Sequence, residues 1–109
     1  MATTPTLMYR GLLTTTTTTQ LYAGVSSGTA IVTNIALTNI TSSAATVTIN
    51  LYSTSGSASF PLLSAVTVPA NTTAFFDVKQ VLNGTTNAIT GGAGTSSAIE
   101  AHISGVVIV

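Results

Sequence analysis

The chain has 109 residues and only four carry a charge, two Lys or Arg and two Asp or Glu, for a formal net charge of zero. A soluble domain of this length ordinarily carries about 27 charged residues, so nucleic-acid binding, which needs a basic stripe to displace counterions, is excluded. The 45% hydrophobic content excludes intrinsic disorder, and the absence of cysteine excludes disulfides, thiolate metal sites and cysteine nucleophiles.

In chain order, residues 7–13 are apolar enough to pack, while the six threonines at 14–19 favour β structure but present identical faces that cannot set a register. Residues 20–23 are expected to pair. Residues 30–40 alternate, with Ile31, Thr33, Ile35 and Leu37 expected on one face and Val32, Asn34, Ala36 and Thr38 on the other. A turn over 39–43 leads to the clearest strand, residues 45–52, where Ala45, Val47, Ile49 and Leu51 face inward and Thr46, Thr48, Asn50 and Tyr52 outward. Residues 53–59, with Gly56 and four serines, read as a loop. Pro61 limits pairing locally, residues 62–68 offer Val66 and Val68 inward, and after a turn at 69–72 residues 73–78 return with Ala74, Phe76 and Val78 on one face. Residues 79–83 read as a single helical turn. Residues 88–90 read as a short strand closed by a flexible turn at Gly91, Gly92 and Gly94, and residues 97–109 as a long final strand.

Seven or eight short strands of period two define the expected fold class as all-β. The architecture is a single two-layer antiparallel β-sandwich, immunoglobulin-like or jelly-roll in topology, with an extended N-terminal arm. The arm is placed at residues 1–19 and the sandwich domain at 20–109. Residues 1–13 lack a basic stretch ahead of an apolar core, so no secretory signal is expected. The apolar runs fall well short of the roughly 20 residues that span a bilayer, so no membrane partner is expected either.

Chemistry-bearing residues are few. Glu100, His102 and Ser104 alternate along the last strand and project from one face, about 6.6–7 Å apart at successive positions. A straight strand does not converge such side chains into a triad, so no catalytic residue is assigned. Glu100 and His102 remain a weak pH-sensitive contact, because histidine titrates near neutrality. Asp77 and Lys79 repeat the spacing and read as a surface pair worth at most about 1 kcal/mol. A metal site from Asp77, Glu100 and His102 would require their strands to be neighbours in register, so neither a metal nor any other cofactor is expected. Gly91, Gly92 and Gly94 precede neither a lysine nor a helix and do not make a phosphate loop. Asn39, Asn71 and Asn83 begin N-x-Thr patterns, which arise by chance in a chain roughly one-third Ser plus Thr, and no glycans are expected.

A hydroxyl-rich, uncharged surface without a convergent site favours contact with other protein, since charge-depleted faces pack without desolvating ions. The runs TAIVTNIALTNITSSAATVTINLYS, TVPANTTAFFDV and TSSAIEAHISGVVIV carry a resemblance. Over about residues 20–109 the chain resembles small tailed-bacteriophage virion proteins of the decoration or cement type. In those relatives an Asn-containing turn, a Pro-Ala-Asn-Thr-type turn and a closing Ile-Ser-Gly-Val-like strand occupy the places of Asn39, residues 69–72 and residues 103–106.

The resemblance implies a β-sandwich on the outer surface of an icosahedral virion, made in the host cytoplasm. It implies the major capsid protein and further copies of this chain, as a homotrimer, as partners, and clamping of neighbouring capsid subunits as the role. Leu7, Met8, Tyr9, Leu12 and Leu13 are the candidate inter-subunit contacts. On that reading, deleting residues 1–13 leaves the sandwich folded and impairs trimerisation or attachment. A neck, tail or fibre component, and a carbohydrate-binding or host-adhesion module, are the alternatives.

Overall fold

The computed structural model describes residues 3–54 and 56–109. Met1 and Ala2 of the expected arm and Ser55 of the expected 53–59 loop lie outside the described residues. The strands are β1 (Thr3–Leu12), β2 (Gln20–Ala23), β3 (Thr29–Asn39), β4 (Ala45–Ser53), β5 (Ala58–Val68), β6 (Thr73–Phe76), β7 (Gln80–Asn83), β8 (Asn87–Ala93) and β9 (Ile99–Ile108). One sheet runs β1-β9-β3, with β6 and β7 both on the far side of β3, and the other runs β2-β8-β4-β5. All pairings are antiparallel. Apart from β4–β5 and β6–β7, each connection crosses from one sheet to the other. With β6 and β7 counted as one interrupted strand, this is the order of an eight-stranded jelly roll, which resolves the two topologies left open by the sequence.

The core between the sheets follows the alternation of the strands. Ala45, Val47 and Ile49 are buried and Leu51 packs against them, as the pattern of β4 predicts. β3 departs from expectation: Ala30 and Val32 point inward in its first half, then Ile35, Leu37 and Asn39 in its second. The pairing with β9 shifts between Val32 and Asn34, so Thr33 is an extra residue that exchanges the two faces. Its hydroxyl donates to the Ser104 carbonyl at 3.2 Å. β1 carries its own shift at Met8, opposite the same part of β9. Gly105 makes room there, since a Cβ would run into the Ile31 carbonyl and the Met8 methyl.

Two further expectations are corrected. Residues 79–83 do not form a helical turn, because Gln80–Asn83 is a strand paired with the first half of β3, and the alternation that exposes Val81 buries Leu82 in the core. Gly91 and Gly92 are not a flexible turn either; they lie inside β8, a central strand buried along most of its length. A Cβ on Gly91 would meet the Thr48 carbonyl at 2.6 Å, and one on Gly92 would meet the Thr16 and Thr14 carbonyls at 2.7 and 2.8 Å. Glycine is required at 92 because another piece of backbone lies on the sheet.

That backbone is the threonine run. Residues 14–19 leave the strand conformation and fold over the edge of β8, with Ala93 N–H donating to Thr14 O at 2.8 Å and Gly91 N–H to Thr19 O at 3.0 Å. The Thr14 and Thr19 hydroxyls join at 2.8 Å, and the Thr19 hydroxyl donates to Thr16 O at 3.0 Å. Hydroxyl side chains that bond to nearby backbone offer an alternative to the ladder, which is why a β-favouring run closes into a loop.

Residues 3–12 of the expected arm form β1, an outer strand of the first sheet paired along its length with β9. Met8 and Leu13 are buried in the core and Tyr9 packs against it, while 52% of Leu7 and 43% of Leu12 stay exposed.

Candidate functional site

The registers place the outer face of the first sheet in rows across its strands. The most apolar row is Pro5, Val106, Ile31 and Val81. Beside it lie Thr3, Ile108, Thr29 and Asn83 on one flank and Leu7, Ser104 and Asn34 on the other. Next comes Arg10, His102, Ala36 and Phe75, then Leu12, Glu100, Thr38 and Thr73, where the last two hydroxyls meet at 2.8 Å. Phe75 is 71% exposed and Val81 49%. Strand spacing and rise give this face on the order of 650 Å², near the roughly 800 Å² that each partner contributes to a standard interface.

The charged groups of the face lie in its last two rows, with His102 and Glu100 on the interior strand β9 and Arg10 on β1. His102 Nε2 lies 3.5 Å from Glu100 Oε1, and Arg10 is the cross-strand neighbour of His102. Ser104 continues the stripe on the same face, two residues further along β9 and beside Leu7 and Asn34. Asp77 and Lys79 pair at 2.6 Å, largely exposed, in the interruption between β6 and β7. Since β3 separates β6 from β9, Asp77 is not brought to Glu100 and His102. Among the described residues no three His, Asp or Glu side chains gather as a metal site would require.

Of the five candidate contact residues, Met8 and Leu13 are spent on the chain's own core, and the Tyr9 hydroxyl donates to Leu12 O at 3.0 Å. Leu7 and Leu12 remain on the outer face beside Ser104 and Glu100. Asn39 has a structural role that its sequence position at a turn only half disclosed. Wholly buried, it donates to Ser43 O at 2.8 Å and Val68 O at 3.0 Å and accepts from the Thr41 N–H and hydroxyl at 2.9 and 2.7 Å. Its carboxamide is fully engaged and is closed to glycosylation.

The strand order thus defines the class: a jelly-roll β-sandwich. No protein-family model and no curated protein matches the chain. Among solved structures it is similar to a cryo-EM structure of the giant freshwater prawn Macrobrachium rosenbergii extra small virus virus-like particle. The match covers 98% of this chain and 80% of that one, at 12% identity and a TM-score of 0.30.

Proposed function

We propose that the chain is a non-enzymatic structural protein of a phage virion, which decorates an icosahedral shell and stabilises it by clamping neighbouring capsid subunits. The observation that carries this reading is the outer face of the first sheet, where Pro5, Val106, Ile31 and Val81 form an apolar row separated from Arg10 and His102 by the uncharged row of Leu7, Ser104 and Asn34. Such a row loses little on desolvation, and depletion of charge marks the core of protein interfaces. Leu7, Leu12 and Phe75 widen the apolar contact. The fold adds an analogy only, because jelly rolls serve viral capsids and lectins alike.

The test is co-sedimentation of the purified chain with shells from its source virion. Binding is expected to change little between about 50 and 500 mM salt, and Val81→Asp is expected to abolish it while the chain stays folded. Steep loss of binding with salt, or unimpaired binding by Val81→Asp, would overturn the assignment of this face.

A further inference from the structure

The columns of the first sheet's outer face run β1, β9, β3 and then β6 or β7. Two such faces can be laid together about a two-fold axis that runs parallel to the strands, between β9 and β3. Each β1 position then meets the β6–β7 edge of the other copy, and each β9 position meets β3. Sheets that pack face to face in this aligned way lie about 10 Å apart, with strand directions within about 30° of each other.

The side chains so opposed match in kind. In the apolar row, Pro5 meets Val81 of the second copy and Val106 meets Ile31. In the next row Ser104 meets Asn34, a hydroxyl against a carboxamide, and each both donates and accepts hydrogen bonds. That row has no member on the fourth column, which is interrupted between Phe76 and Gln80, and Leu7, 52% exposed, stands opposite the interruption. In the row beyond, His102 meets Ala36 and Arg10 meets Phe75, whose ring is 71% exposed. A guanidinium set against an aromatic face is a cation–π contact, and the two-fold axis makes it twice.

Charge and area agree with the pairing. In these three rows the one permanent charge, on Arg10, faces a ring. Glu100 lies in the end row, 3.5 Å from His102, and the crossing angle of the sheets carries that row toward the rim. With on the order of 650 Å² from each copy, the pair buries roughly 1,300 Å², within the range of about 1,200–2,000 Å² for specific interfaces. A chain of zero net charge has no long-range repulsion to keep such faces apart.

We propose that the outer face of the first sheet pairs with the same face of a second copy, in a closed two-fold dimer that covers the face until a shell takes its place. The proposal rests on the reading of this face as a contact surface and adds its regulation, since the dimer must separate for the chain to bind a shell. An interface at the low end of the size range gives a dissociation constant of about micromolar order.

The experiment is sedimentation velocity of the full chain from about 1 μM to about 1 mM, joined to intermolecular NOEs in a mixture of labelled and unlabelled chain. The mass should rise from one copy to two and stop there, with NOEs between the Phe75 ring of one copy and the Arg10 side chain of the other. Val106→Asp, which sets two carboxylates beside the axis, should leave a monomer. Were that variant to fail to fold, Arg10→Ala at an exposed position should still weaken the dimer at least about fivefold. A single copy at the highest concentration, a mass of three copies or open-ended growth would each overturn the proposal. So would a dimer without the Arg10–Phe75 NOEs, or one undiminished by Val106→Asp or, in its place, by Arg10→Ala. A chain that stays monomeric yet binds shells sinks the pairing and leaves the shell-binding reading standing. Shell binding that persists in Val106→Asp while the dimer is lost supports the pairing and sinks the shell-binding reading of this face.

Discussion

The two sheets are built from the same Thr-, Val- and Ile-rich strands, yet they turn different outer faces to their surroundings. In the first, the central strand β9 presents Glu100, His102, Ser104, Val106 and Ile108, side chains of fair size that fill every row, and the face is closed and even. In the second, the central strand β8 presents Ala88, Thr90 and Gly92, and the face is hollow. A single strand's outward residues therefore decide whether a sheet offers an extended contact surface or a pocket. The neighbouring chain responds accordingly: residues 14–19 settle into the hollow, while nothing in the described chain covers the closed face.

The largest expected effect comes from removing residues 1–13. The sequence alone suggested an arm that could be cut away, but β1 is the partner of β9, and Met8 and Leu13 belong to the core. Loss of buried Leu or Met side chains costs about 2–5 kcal/mol each, against a total stability of about 5–15 kcal/mol for a typical domain. The truncated chain is expected to lose fixed tertiary structure, seen as collapse of amide NMR dispersion. A dispersed, native-like spectrum would mean that β1 is dispensable to the closed face.

Next in size is Asn39→Leu, which cuts a tie between the two sheets. Asn39 ends β3 in the first sheet, and its bond to Val68 O reaches β5 in the second. The substitution removes the side-chain partner of Val68 O and the Thr41 N–H, while Ser43 O keeps the Thr41 hydroxyl at 2.9 Å, and the expected loss is about 3 kcal/mol in denaturant unfolding. Gly92→Ala tests the hollow itself. Its new Cβ collides with two carbonyls of the 14–19 loop, so about 1–3 kcal/mol should be lost. Amide exchange should quicken at Ala93, whose N–H bonds to Thr14 O. Unchanged exchange there would show that the loop does not depend on the missing side chain.

How much of this was legible in the sequence depended on whether a strand kept its period. In β4 the alternation from Ala45 to Leu51 assigned the inner face directly. In β3 the same reasoning inverted the first half, because one extra residue at Thr33 changes the parity and nothing in the residue type marks it. The glycines of β8 suggest a turn because glycine's conformational freedom is the commoner use of it; here the need is space, at Gly92 for a loop more than seventy residues away in sequence and at Gly91 for the neighbouring strand at Thr48 and Ile49. The charge deficit suggests contact with other protein without locating a face, since the apolar row Pro5, Val106, Ile31, Val81 draws on four strands.

The smallest expected effect on stability belongs to the closed face, and that is what makes it informative. Phe75 stands opposite Ala36 on an outer strand with most of its surface in solvent. Cross-strand pairs of this kind contribute roughly 0.2–1 kcal/mol, so Phe75→Ser should shift the unfolding free energy by less than about 1 kcal/mol. Shell binding should nonetheless weaken at least about tenfold, since exposed aromatic residues supply much of the energy of protein interfaces. The two readouts separate a residue kept for contact from one kept for folding. If Phe75→Ser instead destabilised the chain as strongly as Asn39→Leu, the ring would be part of the sandwich's own packing, and the contrast between the two outer faces would fail at this row.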